Sequence, residues 1–162
     1  SFDRAAEKLR ELGLNEVIIE YTRKGNPFLG ICVGMQLLME HGEEGHGSPG
    51  LGLIKGKVQK INDNSTFDFN LPIPHISWAE VCRKETQPNF LYKIAEQKLD
   101  MYFVHSYHCV PDNKEDIKGT TFYGENEITA MVQKDNIIGT QFHPERSGLI
   151  GLMFLERFLQ YQ

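Results

Sequence analysis

The chain has little that would staple, anchor or bind by charge. It holds three cysteines, Cys32, Cys82 and Cys109, an odd number with no C-x-x-C spacing. A disulfide framework and a zinc knuckle are thereby not expected, and a reducing compartment, the cytoplasm, is. No apolar run approaches the roughly 18 residues that a membrane helix needs, and Asp3, Arg4, Glu7 and Lys8 break any signal-peptide core at the front. Basic residues are outnumbered, 17 Lys+Arg against 22 Asp+Glu for a net charge of −5. The short basic pairs Arg23-Lys24 and Arg83-Lys84 offer no continuous surface for a phosphate backbone, so neither nucleic acid nor a membrane is an expected partner. The Gly42 to Gly52 stretch contains glycines but no P-loop lysine, and it follows a helical pattern where a P-loop precedes one. Internal repeats and low-complexity tracts are also missing. At 162 residues, this composition describes one ordinary globular domain, over 1–162.

Helical spacing of Phe2, Ala5, Ala6, Leu9 and Leu12, closed by Gly13, predicts a first helix. Asn15 to Tyr21, with the β-branched run Val17-Ile18-Ile19, is compatible with either a strand or a helix. Phe28 to Ile31 reads as a buried strand that feeds a helix over Met35 to Glu40. Downstream lie short strand-like pieces: Leu53 to Ile61, Ile73 to Val81, Met101 to Val110, Thr120 to Tyr123, Thr129 to Gln133 and Ile137 to Phe142. Tyr102-Phe103-Val104 and Ile137-Ile138 are continuously apolar, as in strands buried on both faces. A last helix over about Gly148 to Tyr161 presents a broad apolar face. Helices at both ends of a strand-rich chain predict a layered α/β domain.

The chemistry concentrates in two places. Gly30-Ile31-Cys32-Val33-Gly34 has the logic of a nucleophile elbow, with Cys32 on a sharp strand-to-helix turn and glycines where a side chain would crowd it. Cys32 then sits over a helix N-terminus, which favours thiolate, and the Val33 amide points toward the place of an oxyanion. A thiolate nucleophile also needs a proton carrier and a group to orient that carrier. Gln141-Phe142-His143-Pro144-Glu145 can supply both, because Pro144 stops the strand and lets Glu145 turn back to the His143 ring. His105-x-x-His108-Cys109 with His75 is not expected to bind metal, since strand alternation sends His105 and His108 to opposite faces. Cys82 and Cys109, with no base nearby, read as inert thiols.

The elbow Gly30-x-Cys32-x-Gly34-x-Gln36 and the late Phe142-His143-Pro144-Glu145 resemble the triad motifs of the class I glutamine amidotransferases. Leu51-Gly52-Leu53-Ile54-x-Gly56, Pro74-His75-x-x-Trp78, Tyr102 to Tyr107 and Gln141 to Gly148 are, within that superfamily, similar to the glutaminase subunits of imidazole glycerol phosphate synthases, of histidine biosynthesis. The resemblance implies a three-layer, flavodoxin-like mixed sheet flanked by helices. It implies no cofactor and a glutaminase that hydrolyses glutamine through a Cys32 thioester, with His143 as proton carrier and Glu145 orienting it. Val33 would serve the oxyanion hole. Gly30, Gln36, His105, Ser106 and Tyr107 would bind substrate, and Trp78 would face a (β/α)8 cyclase subunit that receives the ammonia. Two alternatives are a paralogue that supplies ammonia for surface-polysaccharide sugars and a regulatory module with an idle triad.

Two departures from the family pattern stand out. The family's Pro-His-Met-Gly-Trp-Asn is here Pro74-His75-Ile76-Ser77-Trp78-Ala79, which is expected to take an amide from the partner-facing surface. The chain also opens at Ser1-Phe2-Asp3, where the family's Pro-Gly-x-Gly loop would just have ended. On that comparison the domain is expected to lack its N-terminal strands and one amide of its oxyanion hole.

Overall fold

A computed structural model describes residues 1–62, 71–94 and 98–161. The chain begins with helices α1 (Phe2–Glu11) and α2 (Leu14–Arg23), separated by Gly13 in a left-handed conformation at φ 65°. The segment left open between strand and helix is thus helical. Its C-terminal carbonyls are claimed from a distance: Asn136 Nδ2 donates to the Thr22 carbonyl at 2.9 Å, while the Thr22 hydroxyl closes onto Ile18 and Ile19. Carbonyls at a helix end need partners, and this one has both the local Gly25 N–H and a side chain from over a hundred residues downstream.

Strand β1 (Phe28–Ile31) runs into α3 (Val33–Leu37), which starts two residues earlier and is shorter than the sequence pattern predicts. The glycine-rich stretch carries two-residue strands β2 (His41–Gly42) and β3 (Ser48–Pro49), followed by β4 (Gly56–Lys60) and β5 (His75–Glu80). A short strand β6 (Cys82–Arg83) had no sequence signal. The predicted strand Met101 to Val110 is two strands, β7 (Asp100–His105) and β8 (Tyr107–Pro111), broken at Ser106. Then come β9 (Ile117–Tyr123), β10 (Asn126–Lys134), β11 (Ile137–Thr140) and helix α4 (Gly148–Leu159).

The main sheet has the order β1-β11-β10-β9-β6 and is mixed: β1 pairs with β11 in parallel, and the β11, β10, β9 and β6 pairings are antiparallel. Among the described residues two smaller sheets, β3-β2-β4-β8 and β5-β7, accompany it. Helices cover both faces of the main sheet. Val132 and Ile137 pack with Phe2, Met35 and Leu38 of α1 and the α3 region, whereas Met131, Ile138 and Phe142 pack with Phe103 and with Phe154 of α4. That is the expected three-layer arrangement. Phe103, Phe142 and Phe154 are fully buried, each worth roughly 1.5–3 kcal/mol of transfer free energy, and Phe142 meets the other two edge-on at 5.9 and 5.6 Å.

β11 is buried throughout, as its continuous apolarity predicts. β7 is not: buried and half-buried residues alternate along it, because β5 is its strand partner and α4 covers one of its faces. The break at Ser106 also removes the alternation argument for the histidines, since His105 and His108 lie on strands of different sheets.

Candidate active site

The register of β1 and β11 sets the site. Phe28 to Ile31 pair with Ile137 to Thr140, and the Cys32 N–H donates to the Thr140 carbonyl at 2.7 Å. Both motifs therefore leave the sheet at the same end, the carboxyl ends of two parallel strands, where α/β folds build their sites.

Cys32 occupies the turn into α3 with φ 54° and ψ −110°, a conformation rarely adopted by a residue with a β carbon. Gly30 makes the turn possible, because a β carbon there would lie 2.6 Å from the Gly34 carbonyl oxygen. Gly34 does not do what was expected of it: a β carbon at that position meets nothing within 4 Å. The crowding is on the strand side of the elbow alone.

The Cys32 sulfur is half-buried. Its S–H donates to the Val104 carbonyl at 3.9 Å, and it accepts from Gln141 Nε2 at 3.7 Å. The expectation of a ready thiolate is corrected here. Burial, the largest influence, pushes the thiol above its ordinary value; the Val33 N–H opposes it, the Glu145 carboxylate adds to the rise, and Gln141 opposes it more weakly. A helix of five residues behind the sulfur does not offset the lost hydration.

His143 follows β11, and its main chain is clamped. Its N–H donates to the Tyr102 carbonyl at 2.9 Å, and its carbonyl accepts from the Ser147 hydroxyl at 2.6 Å, which in turn accepts the Tyr102 N–H at 3.0 Å. A 3-10 turn over Pro144–Arg146 brings Glu145 beneath the ring, with Nδ1 and Oε1 2.7 Å apart. Nδ1 thus carries the proton, and Nε2 is left buried without a hydrogen-bond partner among the described residues.

On the other side of the sulfur is a cavity of about 190 Å3 lined by Cys32, Val33, Gln36, Val104, His105, Ser106 and Tyr107, with Ser1, Phe2 and Glu44 at its front. Five of the predicted substrate and oxyanion residues are brought together there. Gly30 does not line this cavity. Gln36 is buried with both amide hydrogens spent, one on the Tyr107 carbonyl at 3.0 Å and one on Gln141 Oε1 at 3.1 Å, so its carbonyl oxygen is what it can offer a ligand.

His105 is also committed. Its Nδ1 donates to the Tyr107 carbonyl at 2.9 Å, its Nε2 lies 3.1 Å from His75 Nδ1, and His75 Nε2 lies 2.7 Å from the Ser77 hydroxyl. Burial lowers His105 to about 3 and His75 to about 4, which keeps both rings neutral. Sequence reasoning assigned no role to Gln141, Ser147 or the His75 ring. Each lies within or beside a motif, but only the fold shows what it touches.

Trp78 lies on β5 and is 56% exposed, with Tyr102 against its edge at 6.1 Å. Ala79 faces the other way, packed against the core, so the expected loss of an amide from the Trp78 surface does not follow. Cys109 is fully buried, which pushes its thiol far above the ordinary value, and Cys82 is half-buried. Among the described residues no group of three His, Cys, Asp or Glu could hold a metal ion, and no helix is long and apolar enough to cross a membrane.

Comparison with known proteins agrees with the geometry. The family model for class I glutamine amidotransferases matches residues 7–159. Imidazole glycerol phosphate synthase subunit HisH of Sulfurimonas denitrificans is 46% identical over 162 residues, all of this chain and 76% of that protein. The subunit of the same name from Pyrococcus furiosus is 42% identical over 159 residues, 98% of this chain and 76% of that protein. Among solved structures, a crystal structure of a glutamine amidotransferase superposes with a TM-score of 0.67 at 14% identity, over 98% of this chain and 75% of that one. The PurLQS structure from Thermotoga maritima superposes with a TM-score of 0.65 at 22% identity, over 91% of this chain and 68% of that one.

Proposed function

The chain belongs to the class I glutamine amidotransferases, among the HisH subunits of imidazole glycerol phosphate synthase, and on that premise we propose that Cys32, His143 and Glu145 are its catalytic triad. The observation that carries the assignment is the register of β1 and β11, which delivers the strained cysteine turn and the His143–Glu145 pair to one end of the sheet.

Glutamine enters the cavity with its α-ammonium toward the Gln36 carbonyl oxygen and its side-chain amide over the sulfur. Because burial favours the thiol, attack begins with the S–H proton moving to the unpartnered Nε2 of His143 as sulfur bonds to the amide carbon. The oxyanion formed is met by the Val33 N–H. His143 then gives its proton to the departing nitrogen, the carbon–nitrogen bond breaks, and ammonia leaves a glutamyl thioester. Water, deprotonated by His143, cleaves the thioester to glutamate and restores the thiol. Glu145 holds the Nδ1 proton and stabilises the imidazolium that exists between these transfers.

The ammonia is consumed by a cyclase subunit, of (β/α)8 form, that makes imidazole glycerol phosphate and an aminoimidazole carboxamide ribonucleotide. It docks on the side where Trp78 is exposed, beside the His143 turn. The three free cysteines suit a cytoplasmic location. The test is ammonia release from glutamine with and without the cyclase subunit. Activity that requires Cys32 and rises with the partner supports the reading; rates equal to those of Cys32→Ala in both conditions overturn it.

A further inference from the structure

The orientations of the side chains linked through the Tyr107 carbonyl of strand β8 are not independent. The Tyr107 carbonyl can only accept, so Gln36 must present its NH2 to it. The second hydrogen of that NH2 then needs an acceptor, which is Gln141 Oε1. Gln141 must therefore aim its own NH2 at Cys32, 3.7 Å from the sulfur. The same Tyr107 carbonyl accepts from the His105 Nδ1–H, which fixes the tautomers of His105 and His75 in turn. Gln141 is completely buried, and its main-chain N–H is fixed to the Ala130 carbonyl at 2.8 Å, so the side chain has no water to turn to.

We propose that Gln141 is a positioning residue that holds the Cys32 sulfur through a donated N–H and supports its negative charge as the thiol proton leaves, with Gln36 and the Tyr107 carbonyl dictating that it donates. The inference rests on the reading of Cys32 as the nucleophile. Gln141 acts with the Val33 N–H against burial, and among the described residues the charged or titratable groups that bear on the sulfur are Glu145 and Cys109, with His143 the acceptor of its proton in the reading above. A donor at this place favours the charged sulfur without touching glutamine.

The experiment follows Cys32 alkylation by iodoacetamide as a function of pH, with Cys82 and Cys109 changed to serine and alanine. Gln141→Glu keeps an oxygen for the Gln36 NH2 but turns a carboxylate on the sulfur, and the pair would give up its first proton as carboxylate. Its alkylation profile should move up by at least about one pH unit, with the rate at pH 7.5 falling about tenfold or more. Gln141→Met removes the donor without adding charge and should move the profile the same way by less, which keeps the test valid if the glutamate variant does not fold. In the unsubstituted protein the Gln141 side-chain NH2 resonances should titrate with the midpoint of Cys32 alkylation. Profiles that coincide with the parent's in a folded variant, or NH2 resonances that do not move, overturn the proposal. Alkylation reads the sulfur whether or not glutamine is hydrolysed, so failure here is distinct from failure of the glutaminase reading.

Discussion

Gly30 and Gly34 stand so close across the elbow that a β carbon on Gly30 would sit 2.6 Å from the Gly34 carbonyl oxygen and 2.9 Å from the Met35 nitrogen. These are backbone atoms, which no rotamer change can relieve. Gly30→Ala should therefore cost about 1–3 kcal/mol of stability, read from the urea midpoint, and displace the Cys32 turn with loss of ammonia release. Gly34→Ala, where a β carbon meets nothing, should leave the stability within about 0.5 kcal/mol of the parent. Equal effects of the two substitutions would contradict the steric account.

Glu145→Gln tests the charge beneath the imidazole. Glutamine can still accept from Nδ1, so the ring keeps its place, but the imidazolium loses its counter-charge. Ammonia release should fall by about 10²- to 10⁴-fold with an unchanged melting temperature, because Glu145 is half-exposed. A loss under about fivefold would remove Glu145 from the triad.

Three buried histidines make the fold sensitive to acid. Burial lowers His75 to about 4, His105 to about 3 and His108 to about 4, against an ordinary value of 6.5. Between these values the unfolded chain binds more protons than the folded one, so stability rises with pH. It should be fully present above about pH 6.5 and decline as pH falls toward 4. Urea midpoints should hold from pH 7.5 to about 6.5 and drop from there to pH 5; a flat profile over the lower range would mean that these rings are not held neutral.

Trp78 offers a separation of stability from docking. With its side chain 56% exposed, Trp78→Ala should change the stability read from urea unfolding by less than about 0.5 kcal/mol. Affinity for the cyclase subunit, measured by titration calorimetry, should weaken by about 1–2 kcal/mol or more, as for an aromatic anchor. Unchanged affinity would place the docking surface elsewhere.

Much of this was legible in one dimension because the signals are local. Phe28 to Ile31 passing into α3 is a change of hydrophobic period, and Phe142-His143-Pro144-Glu145 is a strand end followed by a residue that cannot continue the strand. Helix α2 was ambiguous because Val17, Ile18 and Ile19 suit both states, and local hydrogen bonds from Lys24 and Gly25 and a distant one from Asn136 close its end in the fold. The division of Met101 to Val110 into two strands was hidden as well. Nothing in Ser106 itself announces a break that arises because β7 pairs with β5 and β8 with β4.

The sequence alone determined which residues could do the chemistry: a cysteine after a glycine that must approach a backbone, and a histidine with a carboxylate two residues on. Those are properties of residue type and spacing, and they survive any packing. Tertiary structure decided everything that depends on burial and direction. The Cys32 thiol is raised because other segments exclude water from it, overriding the short helix behind it. Ala79 packs inward while Trp78 points outward because β5 lies on β7. Gln141 aims a donor at the sulfur because a carbonyl on another strand leaves its neighbours no other arrangement. Desolvation and hydrogen-bond direction are sums over neighbours distant in sequence, and only the folded chain defines those neighbours.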